Sequence, residues 1–257
     1  MKRAMLLAGI LTLLALRADL RADEGDAPPI LREVKLRQEK LNSQAPLDAE
    51  FRNERGQTVT LGDCMDGKTT ILVLAYYRCP KVCTQVLNDL ALGLRGVPSK
   101  LGDDYNIVTV SFDDRETPEL AAAKKQSYVE MYGLPGTEKG WHFLTGRQQS
   151  ILRLANAVGF QFRYDPKNDL FAHPTCITIL TPEGKVSRYL LRLRDSSKPN
   201  EFSRDLRLGL AEASERKIGS EVTDTILLFC YRYDPETGNV AGRNTDLACA
   251  AGGLARR

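Results

Sequence analysis

Two cysteines separated by three residues carry the strongest chemical signal in the sequence. Cys79 and Cys83 enclose Pro80-Lys81-Val82, where an apolar run at 70–77 gives way to a helical pattern that begins near Thr84. At such a junction, unpaired backbone N–H groups and the helix dipole favour negative charge, so they favour the thiolate form of cysteine. The spacing lets the two sulfurs bond to each other or face one soft metal ion. A structural disulfide is the alternative interpretation of the pair.

The sequence offers only two histidines as nitrogen ligands. His173 directly precedes an apolar run at 175–180, whereas His142 lies beside Trp141, far from any cysteine in the sequence. Two thiolates and one imidazole form a soft set of ligands that suits Cu(I) and also holds Cu(II), while a structural zinc site usually takes a fourth protein ligand. We therefore interpret His173 as the candidate third ligand, with an ordinary loop residue as the alternative. His142 is interpreted as an ordinary polar residue.

Apolar runs that alternate with helical periods predict the α/β domain that positions these residues. The predicted strands are 59–61, 70–77, 105–112, 141–144, 175–180 and 185–191, and the predicted helices are 84–94, 118 to a stop at Gly133, 147–158 and 202–213. A Thr-Pro-Glu-Gly turn between the last two strands predicts that they are antiparallel. This order predicts a thioredoxin-like mixed sheet flanked by helices. In that fold the loop that contains His173 lies beside the first helix, within reach of the two sulfurs.

The rest of the chain flanks this domain. Lys2 and Arg3 precede an apolar run at 4–16, which is typical of an export signal and too short to span a bilayer. An uncleaved anchor and a buried core helix are the alternatives. The predicted segments are a signal peptide at 1–22, a linker at 23–47 with a short helix near 31–41, the thioredoxin-like domain at 48–218 and a C-terminal extension at 219–257. Export to the periplasm implies an oxidising compartment.

The composition excludes several other classes of protein. Of the 257 residues, 42% are apolar and 27% are charged, and no stretch approaches the roughly 18 apolar residues that a spanning helix needs. The chain is therefore neither disordered nor a multispan membrane protein. The formal charge is +3, but 1–22 contains four of the 36 cations and one of the 33 anions, so the remainder is balanced. Because the chain beyond residue 22 has no net charge, there is no electrostatic reason to propose a nucleic-acid partner.

Three blocks of sequence together resemble the SCO/SenC family of exported, copper-binding, thioredoxin-like proteins linked to cytochrome oxidase assembly. Residues 76–83, YYRCPKVC, match the aromatic-x-C-P-x-x-C block of that family, and 111–119, SFDDRETPE, resemble its S-V-D-P-x-x-D-T-P-E block. Leu144-Thr145-Gly146 and the later His173 follow in the same order as in the family. The resemblance extends over about 48–214.

This resemblance implies that the protein is a copper chaperone. Cys79, Cys83 and His173 then correspond to the ligands for Cu(I) or Cu(II). The implied partner is the copper-receiving subunit of cytochrome c oxidase, besides other periplasmic copper or thiol carriers, with no membrane span beyond an N-terminal anchor. The sequence departs from the family at Ala172, where the family usually has an aspartate that could orient the histidine. Glu116 replaces the aspartate of the second block.

Two other functions are open on the sequence alone. In a thiol:disulfide oxidoreductase that reduces the cysteines of the oxidase subunit, one of Cys79 and Cys83 attacks and the other resolves the mixed disulfide, and His173 matters little. A peroxidase-like enzyme is the third hypothesis, because it would share the fold and a reactive cysteine.

The remaining candidate residues are interpreted as structural. Cys64 and Cys176 are expected to be small buried residues, and Cys230 and Cys249 of the C-terminal extension are expected to take no part in metal binding. Asp113 and Asp114 are candidates for adding negative potential near the metal, with turn and helix-entry roles as the alternative. The sequence leaves the role of the extension open.

Overall fold

The computed structural model describes residues 34–80, 82–133, 136–191 and 199–219. The predicted signal peptide or anchor, and the predictions for Cys230 and Cys249, lie outside these described residues. Within the described residues, no helix combines the length and the apolar character that crossing a membrane requires.

Nine strands and six α-helices make up the described part of the chain. In order they are β1 (Glu50–Arg52), β2 (Thr58–Thr60), α1 (Leu61–Met65), β3 (Thr69–Ala75), α2 (Val82–Leu94), β4 (Tyr105–Ser111), α3 (Pro118–Tyr132), α4 (Thr137–Gly140), β5 (Trp141–Leu144), α5 (Gln148–Ala157), β6 (Arg163–Asp165), β7 (Leu170–Ala172), β8 (Ile177–Leu180), β9 (Val186–Leu190) and α6 (Pro199–Ser214). A 3-10 turn at Gln38–Lys40 precedes them.

Five of the strands form the central sheet in the order β5-β4-β3-β8-β9. β3 is parallel to β4 and β4 to β5, whereas β8 is antiparallel to both of its neighbours. Every residue of β3 and β4 is buried, as expected of strands covered on both faces. The predicted α/β class, a thioredoxin-like mixed sheet flanked by helices, is confirmed.

The predicted helix ends follow local signals closely. α3 begins at Pro118, where a proline has no N–H to lose, and it ends before Gly133, whose φ of +64° closes the helix in the left-handed region. On α2, Val86, Leu90 and Leu94 form the buried stripe that the period predicts.

In the described part of the range where a short helix is predicted, 34–41, the structure has only the 3-10 turn at Gln38–Lys40. Backbone groups there bond to the segment after α5: Arg37 N–H donates to the Gly159 carbonyl at 2.7 Å, and Gln161 N–H donates to the Lys35 carbonyl at 3.1 Å. Groups bonded to a distant segment are not available for helical i to i−4 bonds. Val34 and Leu36 are buried, so this part of the chain packs on the domain.

Two small hairpins lie outside the central sheet. β1 pairs with β2, so the strand predicted at 59–61 belongs to a local hairpin and ends where α1 begins at Leu61. β6 pairs with β7, a hairpin that is not among the elements predicted from the sequence. It lies directly before His173, so it decides where the imidazole is placed.

Candidate metal centre

The structure brings Cys79, Cys83 and His173 together. Cys79 lies in the loop between β3 and α2, Cys83 lies in the first turn of α2, and His173 lies between β7 and β8. The two Sγ atoms and a ring nitrogen all lie within 4.8 Å of one another, and Cys83 Sγ is 3.5 Å from His173 Nε2. The three residues are only 8%, 2% and 4% exposed. They are the one group of three or more such donors found among the described residues.

The turn between β3 and α2 places both sulfurs at the start of the helix. Cys79 N–H donates to the Tyr76 carbonyl at 3.2 Å, and the Thr84 hydroxyl donates to the Cys79 carbonyl at 3.3 Å. Cys83 N–H donates to Cys79 Sγ at 3.4 Å. This N–H belongs to the first turn of α2, where backbone donors have no partner within the helix. The Cys79 sulfur therefore accepts a bond that stabilises negative charge on it.

A backbone carbonyl orients the His173 ring. His173 Nδ1 lies 2.9 Å from the Pro174 carbonyl oxygen, and because a carbonyl only accepts, Nδ1 carries the proton of this bond. In the neutral ring Nε2 then has its lone pair free, and Nε2 is the atom that faces Cys83 Sγ. The Pro174 carbonyl thus orients the His173 ring, the role expected of the family aspartate that Ala172 replaces.

Aromatic rings enclose the imidazole. The His173 ring centre is 5.1 Å from that of Phe112, 6.0 Å from that of Phe160 and 6.1 Å from that of Tyr76, which meets it edge-on. Burial, followed by the two nearby cysteines, raises the pKa of Tyr76 well above its ordinary value, so its hydroxyl stays protonated. The ligands therefore face a low-polarity wall that limits the access of water.

Glu116 holds the backbone that leads to Cys79. Its buried carboxylate accepts hydrogen bonds from Tyr77 N–H and Arg78 N–H, each at 2.7 Å, and from the Ser111 hydroxyl at 2.6 Å. Charged acceptors make the stronger class of hydrogen bond. In the sequence, Glu116 is recognisable only as a variation on the family pattern. Its position in the SFDDRETPE block was the available signal, but nothing in that block shows which backbone groups it contacts.

The two neighbouring aspartates differ in their surroundings. Asp113 is buried, and Arg115 donates to both of its carboxylate oxygens, so a guanidinium compensates its charge. Asp113 also accepts from Arg115 N–H at 3.0 Å, which closes a turn. Asp114 is exposed.

The other predicted residues lie outside the donor group. Cys64 and Cys176 are buried, as the sequence predicts for structural cysteines, and neither belongs to the donor group. His142 lies on β5, also outside the group; desolvation, followed by Lys125, lowers its pKa.

Cys64 is expected to resist alkylation in the native protein. Burial, followed by the nearby carboxylates of Glu54 and Asp63, raises the pKa of its thiol to about 12. An ordinary cysteine titrates near pH 8.5, so the thiolate fraction at pH 8 falls by roughly 10³-fold. Peptide mapping after iodoacetamide treatment should find Cys64 unmodified in native protein and modified in denatured protein. Equal modification of both samples would contradict the burial of Cys64.

The donor group fits one soft metal ion. Two sulfurs bonded to the same ion at about 2.3 Å each lie at most about 4.6 Å apart, so the observed group closes around an ion with small side-chain shifts. Two thiolates buried together repel each other and are costly to desolvate. A cation between them offsets both effects, which favours metal binding in the reduced state.

The fold is thioredoxin-like, and it holds a buried group of two thiols and one imidazole. These two features define the class of protein: a thioredoxin-like protein whose centre can bind a soft metal ion or carry out thiol chemistry. The SCO1/SenC family pattern matches residues 39–207, more than half of the chain. The chain belongs to the SCO1/SenC family, as the sequence resemblance predicts. No curated protein matches it.

Solved structures share the fold. A proposed electron transfer protein from Aquifex aeolicus VF5 is 22% identical, with a TM-score of 0.58 over 70% of this chain and 97% of that one. A SCO1/SenC family lipoprotein from Bacillus anthracis str. Ames is 21% identical, with a TM-score of 0.52 over 70% of this chain and 99% of that one. Arabidopsis thaliana ScoI with copper bound is 21% identical, with a TM-score of 0.51 over 63% of this chain and 96% of that one.

Proposed function

We propose that this protein is an exported copper chaperone that delivers its ion to the binuclear copper site of cytochrome c oxidase. The observation that carries the proposal is the convergence of Cys79, Cys83 and His173, three buried donors within 4.8 Å of one another. Membership of the SCO1/SenC family and the copper-bound Arabidopsis relative support copper as the ion. The signal-like segment at 1–22 supports export to the periplasm.

Delivery proceeds by ligand exchange. An incoming thiolate or imidazole of the acceptor bonds to copper while a bond from copper to Cys79, Cys83 or His173 breaks, and the cycle repeats until the ion has moved. No electron is transferred, and each thiolate that is released takes up a proton from solvent. Cys79 is the more exposed of the two cysteines, and exposed Arg78 and Pro80 flank it. An acceptor therefore approaches from the Cys79 side.

A second candidate function uses the same sulfurs without the metal. In a thiol:disulfide oxidoreductase, the Cys79 thiolate attacks an acceptor disulfide and releases one acceptor thiolate. Cys83 then attacks Cys79 Sγ, releases the second acceptor thiolate and leaves a Cys79–Cys83 disulfide, so the acceptor gains the two electrons that the pair loses. The hydrogen bond from Cys83 N–H to Cys79 Sγ favours this role for Cys79.

Copper transfer to an isolated acceptor tests the proposed function. Copper-loaded protein is mixed with the metal-free, reduced soluble domain of the oxidase subunit that holds the binuclear site. We expect copper to leave the chaperone and to be found bound to the acceptor once the two proteins are separated. Protein oxidised at Cys79 and Cys83 is the control, and it should neither load nor deliver copper, because a disulfide has no thiolate to offer. If copper stays on the chaperone, and reduced, metal-free chaperone in a parallel sample reduces the disulfide of the oxidised acceptor, the result would favour the oxidoreductase.

A further inference from the structure

The hairpin β6–β7 leads His173 into the metal centre. Each of its strands has three residues, and the two strands form a sheet separate from the five-stranded sheet. His173 follows Ala172, the last residue of β7. A two-stranded hairpin is at best marginally stable by itself in water. The position of the imidazole therefore depends on what holds this hairpin against the domain.

Arg115 contacts all three parts of the hairpin. Its Nη1 donates to Asp169 Oδ1 at 2.7 Å and to the Tyr164 hydroxyl at 3.2 Å, and that hydroxyl donates to the same Asp169 oxygen at 2.7 Å. The guanidinium carbon lies 4.8 Å from the centre of the Tyr164 ring and 5.7 Å from that of Phe171. Tyr164 belongs to β6, Phe171 to β7 and Asp169 to the turn between them.

The other side of the guanidinium is fixed by the loop after β4. Arg115 Nε and Nη2 donate to the two carboxylate oxygens of Asp113, at 2.7 and 2.8 Å. The Asp113 side chain is 3% exposed, whereas that of Asp169 is 72% exposed. Paired donation of this kind needs the planar fork of arginine. The buried pair is therefore the fixed end of the link, and Asp169 is the end that it holds.

We propose that Arg115 is a positioning residue for His173: by holding hairpin β6–β7 against the loop after β4, it keeps the imidazole beside the two cysteine sulfurs. The inference rests on the proposed copper-binding function. The next residue, Glu116, holds the backbone at 77–78 on the cysteine side. Neighbouring side chains of one loop thus fix both halves of the metal centre.

Asp169→Asn is the most selective variant for testing this link. It removes the negative charge on the hairpin side of Arg115. Asparagine also tolerates the left-handed backbone at this position, where φ is +50°. It also leaves the Asp113–Arg115 pair intact. Arg115→Lys is the second variant, because lysine keeps the charge and loses the fork. Asp114→Asn is the matched control, since it removes an exposed carboxylate from the same loop as Arg115.

Copper release to an excess of a competing chelator is the first measurement. We expect release to be about two- to fivefold faster in Asp169→Asn, the range that an exposed ion pair supports, faster still in Arg115→Lys, and unchanged in Asp114→Asn. Neither Asp169→Asn nor Arg115→Lys should change release further in a His173→Ala background, because the link acts through that ring. Unchanged release in the single variants, or the same acceleration without His173, would overturn the proposal.

Hydrogen exchange of the metal-free protein is the second measurement, and it does not depend on copper. In Asp169→Asn the amides of 163–172 should exchange faster, while those of β8 and β9 keep their wild-type rates. Unchanged exchange in the hairpin would show that Arg115 does not hold it. If wild-type protein binds no copper, the proposed function fails, and exchange still decides whether Arg115 holds the hairpin that leads to His173.

Discussion

Replacing Cys79 and Cys83 together with serine is expected to weaken Cu(I) binding by on the order of 10⁴-fold. Apparent binding free energies of about 10–16 kcal/mol for zinc-finger sites with four ligands correspond to about 3 kcal/mol for each ligand, and this variant loses two ligands. A serine hydroxyl is a hard oxygen that stays protonated at neutral pH, so it does not replace a thiolate. The measurement is an anaerobic titration of reduced protein with Cu(I) against a competing chelator, in which wild-type protein should bind one tight equivalent.

The other cysteines provide matched controls for this titration. Cys64→Ser and Cys176→Ser also replace buried thiols, but these thiols lie outside the donor group, so each variant should still bind one equivalent. Serine at both Cys230 and Cys249 should likewise leave the stoichiometry unchanged. Tight binding by the Cys79 and Cys83 double variant would refute the ligand assignment. Loss of the equivalent in the Cys230 and Cys249 double variant would show that the C-terminal extension completes a site.

The central sheet could be predicted from the sequence because its signals are local. β3 and β4 are near-continuous apolar runs, and the stripe on α2 repeats with helical period. The order of these elements predicted the thioredoxin-like arrangement, and the blocks around Cys79 and 111–119 predicted the SCO/SenC family. The proximity of His173 to the cysteines followed from the strand order, although 90 residues separate it from Cys83.

The supports of the metal centre could not be predicted in the same way. β6 and β7 have only three residues each, too few to show a strand period, and they are held by Arg115, which lies 49 residues before Tyr164. The Pro174 carbonyl that orients His173 is a backbone group that no residue type reveals. Such contacts depend on how distant segments meet, so a pattern of residue types predicts the ligands better than it predicts what positions them.

His173→Ala is expected to separate metal binding from thiol chemistry. Loss of one ligand should weaken copper retention by about 100-fold, on the same figure of about 3 kcal/mol for each ligand, and the variant should fail to metallate the oxidase subunit. Exchange with a model disulfide needs only the two sulfurs, so most of its rate should remain. Both reactions are measured on the same preparation, by chelator competition with copper transfer and by reduction of a small aromatic disulfide.

His173→Met distinguishes the lost ligand from a disturbed pocket. Alanine leaves space among Tyr76, Phe112 and Phe160, whereas methionine fills much of that space and offers a soft thioether sulfur. If His173 is a ligand, methionine should restore part of the Cu(I) affinity and little of the Cu(II) affinity, because a thioether is the softer donor. If alanine at this position supports full copper delivery, His173 is not a functional ligand, and the Cys79–Cys83 pair is better explained as the dithiol of an oxidoreductase.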